Sequence, residues 1–254
     1  MKRIAYGLSD IGRRRLSNED AFLVDDELGL YVVADGMGGH NAGEVASGEA
    51  VDVLQSMVKR ERNALSTLDE LPAEPDGDVM RRMLRLLESA VQAATYMVFG
   101  LAQNEPDQQG MGTTLSALAI AGNVGITAQV GDSRIYLVRD GEAAQLTEDH
   151  TLIAWQIKQG IITAEEAARS PHKNVITRAV GSRDYVQVDT ACFPVRAGDA
   201  FLLCSDGLHG YLRSNGEIPP ILDLGATVAV RRLIDLANER GGKDNITAVV
   251  VEIS

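Results

Sequence analysis

The stretch from Leu30 to Gly43 reads Leu-Tyr-Val-Val-Ala-Asp-Gly-Met-Gly-Gly-His-Asn-Ala-Gly, and the rest of the chain is organised around it. Leu30 to Ala34 is an apolar run of the length of a buried strand, and it stops at Asp35-Gly36. The glycines that follow open a helix predicted from Ala42. A carboxylate at a strand end, beside residues with small side chains, can be approached closely by a hard cation. An isolated Asp-Gly pair is also typical of a tight turn.

The composition is that of a globular protein. Of the 254 residues 45% are hydrophobic, which is enough for one sizeable core, and we expect residues 1–254 to form a single domain. No N-terminal pattern suits a signal peptide, and no run approaches the ~20 apolar residues of a membrane helix. Cys192 and Cys204 lie in strand-like segments without metal-binding spacing, so we expect reduced thiols. These features predict a cytoplasmic protein that does not enter a membrane.

The net charge of −12 comes from 36 acidic and 24 basic residues. This balance argues against the phosphate backbone of a nucleic acid as the main ligand. It permits a cation-rich site, but acidic surfaces are common and the charge alone does not select a function.

Hydrophobic periodicity predicts three long helices and about ten strands. The helices are Ala42–Arg62, Asp78–Ala102 and Ala226–Glu239, with a loop over Asn63–Gly77. The strands are Ile4–Ser9, Ala21–Val24, Leu30–Ala34, Thr113–Ala121, Val124–Val130, Ile135–Arg139, Ala143–Leu146, Val186–Phe193, Ala200–Cys204 and Ile246–Ile253. Gly131-Asp132 and Asp140-Gly141 are typical of hairpin turns and predict an antiparallel meander. The pattern favours an α+β fold: a central β-sandwich of two antiparallel sheets flanked by helices, in four layers.

A helical insertion interrupts the strands at about residues 148–183. It contains two predicted short helices, Thr151–Gln159 and Thr163–Arg169, and Thr163 with Glu166 forms a capping-box pattern at the start of the second. An insertion between sheet strands and near acidic residues is where a flap that contacts a substrate would lie.

Several aspartates stand at the edges of predicted strands or turns: Asp20, Asp35, Asp132, Asp206 and Asp244. Clustered carboxylates repel one another unless cations neutralise them. Their hardness selects Mg²⁺ or Mn²⁺ over Zn²⁺, because no histidine and cysteine ligand set accompanies them. Two such ions ~4 Å apart can activate a water and clamp a phosphoryl group. Arg15 could then bind the phosphate, and His40 could protonate the leaving alkoxide.

Each of these residues also has an ordinary structural interpretation. The basic and acidic cluster from Gly12 to Asp20 could be the solvated rim of a hairpin, Asp132 a turn residue, and His40 a polar residue of a glycine-rich loop. Competing motifs are absent from the sequence: the glycine-rich loop has Asn41 at the third glycine position of G-x-G-x-x-G, and there is no P-loop, H-E-x-x-H or G-x-S-x-G.

Taken together, the motifs resemble the metal-dependent serine/threonine protein phosphatases of type 2C in their compact bacterial form. Order and spacing match over nearly the whole chain. The motifs that carry the resemblance are Arg15-Leu16-Ser17-Asn18-Glu19-Asp20, Val33-Ala34-Asp35-Gly36-Met37-Gly38-Gly39-His40, Gly112-Thr113-Thr114, Gly131-Asp132-Ser133-Arg134, Asn174-Val175-Ile176-Thr177-Arg178-Ala179-Val180-Gly181, Ser205-Asp206-Gly207-Leu208 and Asp244-Asn245-Ile246-Thr247.

The resemblance implies a role for each matching residue. Asp35 would bridge two Mn²⁺ or Mg²⁺ ions, the Gly36 carbonyl would join it, and Asp206 and Asp244 would complete the second ion's site. Asp20 and Glu19 would hold coordinated waters or contact metal from behind, with Asn245 supporting them. Asp132, with Asp206, would bind a third, weaker metal. Arg15 would bind the substrate phosphate, His40 would be the general acid, and Thr113-Thr114 would be structural.

The resemblance also implies the function and the partners. We expect a monomer that hydrolyses phosphoserine and phosphothreonine on proteins and opposes a bacterial Ser/Thr kinase. His209-Gly210 and Ser170-Pro171-His172 depart from the usual family pattern, which affects expected substrate preference rather than chemistry. The alternative is a non-catalytic module of the same fold that binds phosphoproteins. A dedicated target in one developmental or secretion switch is a further possibility that the sequence does not distinguish from general kinase antagonism.

Overall fold

The computed structural model describes residues 1–38, 42–61, 77–172 and 174–254. The predicted loop over Asn63–Gly77 therefore lies, except for Gly77, outside the described residues. Within the described part of the chain no helix has the length and apolar character needed to cross a membrane. The two cysteines are free thiols, as the sequence predicted, with Cys204 buried and Cys192 half-buried.

Two antiparallel sheets form the centre of the molecule. In spatial order the first contains β1 (Arg3–Asp10), β11 (Ile246–Ile253), β10 (Ala200–Cys204), β7 (Arg134–Arg139) and β8 (Glu142–Gln145). The second contains β2 (Asp20–Asp25), β3 (Leu30–Met37), β5 (Leu115–Ala121), β6 (Val124–Val130) and β9 (Asp189–Pro194), and the short β4 (Gly112–Thr113) pairs with β3.

Helices cover the outer faces of both sheets. The helices are α1 (Ala42–Arg60), α2 (Gly77–Asn104), α3 (Leu152–Lys158), α4 (Ala164–Ala168), α5 (Asp206–His209), α6 (Pro219–Leu222) and α7 (Ala226–Glu239). Helices α1 and α2 pack against each other and against the second sheet, while α7 packs on β1 and β11 of the first. The predicted four-layer arrangement is confirmed.

The alternation of side chains along the strands builds three apolar layers. In β3, Tyr31 and Val33 point between the sheets, where they join Phe201 and Leu203 of β10. Their neighbours Leu30 and Val32 point the other way, towards α1 and α2. Because successive side chains of a strand face opposite sides of the sheet, a continuous apolar run can bury both of its faces.

Three predicted boundaries are wrong in ways that matter for the site. Strand β3 continues past Ala34 to Met37, because Gly36 donates its N–H to the Glu19 carbonyl at 3.0 Å and pairs with Thr113 of β4. The meander is split between the sheets, since β6 belongs to the second sheet and β7 to the first, so Gly131-Asp132 is a crossover and not a hairpin. Strand β9 begins at Asp189 rather than Val186.

The insertion at 148–183, which we call the flap segment, has the predicted helices and is closed at its base. Thr163 accepts from the Glu166 N–H, and the Glu166 side chain accepts from the Thr163 N–H, so the predicted capping box is confirmed. Leu152 donates to Val175 and Thr177 donates to His150, which joins the two ends of the flap segment beside the Gly131-Asp132 crossover.

Candidate metal centre

A cavity of about 410 Å³ opens at one end of the sandwich and gathers most of the predicted site residues. Both sheets contribute to it: Asp35 lies in β3 of the second sheet, whereas Asp206 follows β10 and Asp244 precedes β11 of the first. Its walls are formed by Arg15, Glu19, Asp35, Gly36, Met37, Gly38, Asp132, Asn174, Ile176, Asp206 and Asp244. Asp20 and Asn245 lie directly behind these walls. His40, the predicted general acid, lies outside the described residues.

The backbone of Asp35 is held by two threonines. Its N–H donates to Thr114 Oγ1 at 2.9 Å, and its carbonyl accepts from Thr113 Oγ1 and from the Thr114 N–H, each at 2.9 Å. These bonds fix the position from which the Asp35 carboxylate enters the cavity. The structural role expected of Thr113-Thr114 is consistent with this arrangement.

Asp20 sits opposite Asp35 in the register of β2 and β3. One of its oxygens, Oδ2, accepts from Ser205 Oγ at 2.8 Å and from Thr247 Oγ1 at 2.6 Å. The other, Oδ1, is buried and has no donor among the described residues. Burial raises the pKa of Asp20 to about 7, although the two hydroxyls act in the opposite direction.

The neighbouring carboxylates also resist ionisation. Burial raises the pKa of Asp35 well above its ordinary value, and repulsion by Asp20 and Asp206 adds to the effect. Burial and the charge of Asp206 raise the pKa of Asp132 to about 7. Burial and the charge of Asp244 raise the pKa of Asp206. A site that opposes carboxylate charge in this way favours a bound cation.

Arg15 and Asp244, which the resemblance assigns to substrate and metal, contact each other directly. Arg15 Nη2 donates to Asp244 Oδ2 at 2.8 Å, and this hydrogen bond is the main reason that the pKa of Arg15 is raised. Both side chains are partly exposed at the mouth of the cavity. A guanidinium there can exchange the carboxylate for a phosphate with the same geometry.

Asn245 connects the loop that carries Arg15 and Glu19 to the start of β11. Its Oδ1 accepts from the Glu19 N–H at 2.9 Å, and its Nδ2 donates to the carbonyls of Ile11 at 3.0 Å and Ser17 at 2.9 Å. The side chain thus uses every hydrogen-bonding group except one lone pair to hold the loop in place. That Asn245 supports the metal centre stays a prediction, and these bonds are the contacts through which it would act.

The crossover that carries Asp132 is braced from the first sheet. Gly131 has a φ of 99°, and a Cβ there would lie 2.6 Å from the Thr114 side chain, so only glycine fits. His209 donates Nε2–H to the Asp132 carbonyl at 2.9 Å, and burial lowers the pKa of His209 to about 4. The departure from the family pattern at His209 therefore places a neutral hydrogen-bond donor behind the crossover.

These residues fit divalent cations of the hard type. Two buried carboxylate oxygens, Asp20 Oδ1 and Asp206 Oδ1, have no donor among the described residues, and Asp206 shares the cavity with Asp35, Asp132, Asp244 and Gly36. In the described part of the chain, no three histidine, cysteine, aspartate or glutamate side chains meet the geometry of a ready-made metal site. Mg²⁺ and Mn²⁺ keep several waters and need few protein ligands, so the donor set suits them.

Sequence reasoning gave no site role to Met37, Asn174 or Ile176, which the structure places in the cavity wall. Asn174 and Ile176 belong to a motif of the resemblance, but their contribution depends on the flap segment folding back over the cavity. Two apolar side chains beside a carboxylate cluster carry no signal in a sequence, so only the tertiary structure could reveal them.

Comparisons with known proteins show which family the chain resembles in sequence and in fold. The family model described as Protein phosphatase 2C matches residues 10–243. The chain is 39% identical over 249 residues to the serine/threonine phosphatase stp of Listeria innocua, covering 96% of this chain and 93% of that protein. It is 39% identical to the serine/threonine protein phosphatase PstP of Mycobacterium tuberculosis, covering 96% of this chain but 44% of that longer protein. The crystal structure of the PstP catalytic domain in complex with two manganese ions superposes with a TM-score of 0.82, at 37% identity, covering 99% of this chain and 98% of that one.

Proposed function

The chain belongs to the protein phosphatase 2C family and is a phosphatase enzyme, and we propose that it uses the acidic cavity to hydrolyse phosphoserine and phosphothreonine on proteins. The observation that carries the proposal is the convergence of Asp35, Asp206 and Asp244 from two sheets onto one cavity beside Arg15. A protein that had kept the fold only to bind phosphoproteins would have no need to retain buried carboxylates that destabilise it.

The cofactors are two Mn²⁺ or Mg²⁺ ions, which Asp35, Asp206 and Asp244 would hold with the Gly36 carbonyl, and a third, weaker ion would take Asp132 with Asp206. When bound, these ions supply an activated water and a clamp for the phosphoryl oxygens. Asp20 and Glu19 would orient waters from behind, and Asp20 Oδ1, which has no donor among the described residues, is available for this. The phosphatase structure with two manganese ions supports this assignment.

The remaining steps belong to Arg15 and His40. Arg15 binds the substrate phosphate through two parallel N–H bonds and releases Asp244 as it does so. His40 would donate a proton to the leaving serine or threonine oxygen. The Asn245 bonds keep Arg15 at a set position, so that the phosphate enters in one orientation.

The substrates are phosphoproteins, and the natural opponent of the enzyme would be a Ser/Thr kinase acting on the same targets. We expect residues 1–254 to work as one catalytic domain with the flap segment as an insertion, as a monomer in the cytoplasm. The named serine/threonine phosphatases among the relatives support this assignment of substrate class.

The test is turnover of p-nitrophenyl phosphate and of a phosphothreonine peptide across a Mn²⁺ titration. We expect turnover to require the metal, to stop with EDTA, and to fall at least about a thousandfold in Asp35→Asn, because a neutral amide cannot hold the ions. The matched control is Asp235→Asn, which makes the same change at an exposed position of α7 and should leave turnover unchanged.

Two results would contradict the proposal. Turnover that persists in EDTA would remove the metal-dependent mechanism. A folded protein that binds the phosphopeptide at a 1:1 ratio in excess Mn²⁺ without releasing phosphate would instead be the non-catalytic module.

A further inference from the structure

A second cavity, of about 540 Å³, adjoins the metal centre. Met37 and Ile176 line both cavities, so the two cavities share part of a wall. One wall of the second cavity is the stretch from Ser182 to Gln187, which includes the last two residues of the flap segment and those just after it. A peptide that places its phosphoresidue at the metal centre would have neighbouring residues within reach of this cavity, at ~3.5 Å of chain per residue.

The charge of the second cavity is opposite to that of the first. Its lining includes Arg178 and Arg183 and no acidic side chain, whereas the metal centre gathers Asp35, Asp206 and Asp244. Tyr185, which is 63% exposed, adds an aromatic ring to the same wall. The chain has a net charge of −12, so a cavity lined by basic and not acidic side chains differs from the overall charge of the protein.

Arg178 is held rigidly on the cavity wall. Its Nη1 donates to Asp189 Oδ1 at 2.6 Å, while the Nε and Nη2 groups have no acceptor among the described residues. Asp189 Oδ2 lies 3.1 Å from His150 Nε2, and His150 Nδ1 accepts from the Gly131 N–H at 3.1 Å. Because Nδ1 is an acceptor, Nε2 carries the proton and donates to Asp189. This chain of bonds ties Arg178 to the residue next to Asp132, and thus to the metal centre.

The opposite wall is anchored to α2. The Gln92 side chain donates to the Val186 carbonyl, its Oε1 accepts from the Val186 N–H at 3.4 Å, and Val186 itself is buried in the core. Gly181 adopts a φ of 82° and packs so closely on Val98 that a Cβ would overlap it. Arg183 extends from this anchored segment as an exposed cation with no ion-pair partner in the described part of the chain.

From this geometry we propose that the second cavity is a subsite for an anionic side chain of the phosphoprotein substrate, two or three residues from the phosphoresidue. The anion would be a carboxylate or a second phosphate, bound by Arg183 and by the free N–H groups of Arg178, with Tyr185 packing on the adjoining peptide. This inference rests on the proposed function, because it assigns the recognition of substrate sequence to a cavity beside the catalytic one.

The experiment compares phosphothreonine peptides that are identical except for one position, two or three residues to either side, occupied by Asp, phosphoserine, Ala or Lys. Wild-type enzyme should hydrolyse the Asp or phosphoserine peptide with a kcat/KM about tenfold above that of the Lys peptide at one of these positions. The acidic character of the whole protein predicts the reverse order, with Lys favoured. Comparing the Asp and phosphoserine peptides shows which anion the subsite prefers.

The variants are Arg183→Glu and, as a matched control, Arg231→Glu on the exposed side of α7. The readout is the ratio of kcat/KM for the anionic and Lys peptides, which does not depend on overall activity. We expect Arg183→Glu to invert this ratio and Arg231→Glu to preserve it. The proposal is overturned if wild-type enzyme favours Lys, or if both variants shift the ratio equally. Failure of the proposed function would show itself separately, as absent turnover of p-nitrophenyl phosphate by wild-type enzyme in excess Mn²⁺.

Discussion

At the scale of single residues, the candidate metal centre works against folding. Asp20 has one buried oxygen without a donor in the described part of the chain, and its pKa is raised to about 7. The pKa of Asp35 is raised by burial and by the charges of Asp20 and Asp206, and the pKa of Asp206 is raised by burial and by the charge of Asp244. These carboxylates destabilise the metal-free protein, and a bound cation would remove that penalty. The stability of the fold should therefore depend on its metal cofactor.

We predict that Asp20→Asn stabilises the metal-free protein at pH 8. The pKa of Asp20 is raised on folding, so the folded state holds a proton that the unfolded state has lost between pH ~4 and pH 7. Its contribution to stability is therefore complete below about pH 4 and is lost as the pH rises to 7. An amide is neutral at every pH, so the variant should unfold at a higher temperature than wild type in EDTA at pH 8. We expect its free energy of unfolding there to be higher by about 2 kcal/mol.

The measurement is thermal unfolding in EDTA at pH 5 and pH 8, followed by the same scans in Mn²⁺. The advantage of Asp20→Asn should shrink at pH 5, and the stabilisation by Mn²⁺ should be smaller than in wild type. Asp235→Asn, at an exposed position of α7, is the control for a general change of charge. A variant that is less stable than wild type in EDTA at pH 8 would contradict the prediction.

At the scale of secondary-structure elements, the loop before β2 depends on a residue from the far end of the chain. Asn245, just before β11, makes three hydrogen bonds to backbone groups between Ile11 and Glu19. The bonds join sequence positions separated by more than 220 residues, so this loop acquires its shape only when both sheets are in place. The position of Arg15 is thus a property of the paired elements rather than of the loop.

We predict that Asn245→Ala lowers the free energy of unfolding by about 2–3 kcal/mol, since partly buried carbonyls lose their donors. It should also raise the KM for a phosphopeptide several-fold more than it lowers kcat, because Arg15 is no longer held in place. Urea unfolding and steady-state kinetics measure the two effects. Asn215→Ala, at an exposed position, is the control. If the variant loses kcat while its KM stays unchanged, the loop does not position Arg15 for the substrate.

At the scale of the whole molecule, the packing of one sheet on the other sets the metal centre. Asp35 lies in β3 of the second sheet, whereas Asp206 and Asp244 lie at the ends of strands β10 and β11 of the first. Between the sheets, Phe201 is fully buried and lies 5.8 Å from the Phe193 ring, centroid to centroid. A change in this layer moves the two halves of the cavity relative to each other.

We predict that Phe201→Leu lowers the free energy of unfolding by about 1–3 kcal/mol and also weakens Mn²⁺ binding several-fold. Urea unfolding in EDTA gives the first quantity, and Mn²⁺ titration of p-nitrophenyl phosphate turnover gives the second. Phe22→Leu, at a partly exposed position of β2, is the matched control and should have little effect on either. If Phe201→Leu loses stability while its Mn²⁺ dependence equals that of the control, sheet packing does not govern the geometry of the site.

Local sequence patterns predicted many of the helices and strands correctly. Helix α7 and strands β6, β10 and β11 have the predicted bounds, because apolar periodicity and flanking glycines act over short distances. The capping box at Thr163 was predicted for the same reason. The resemblance of the motifs to type 2C phosphatases, and hence the phosphatase class, also came from residue order and spacing alone.

The sequence by itself determined the strand and helix pattern, the set of carboxylates and the family. Only the tertiary structure decided that Gly131-Asp132 crosses between sheets, that Arg15 pairs with Asp244, and that a basic cavity adjoins the acidic one. The physical reason is distance along the chain. Local patterns report which face of an element is apolar, whereas the charges that meet in a cavity come from segments brought together only by the packing of the two sheets.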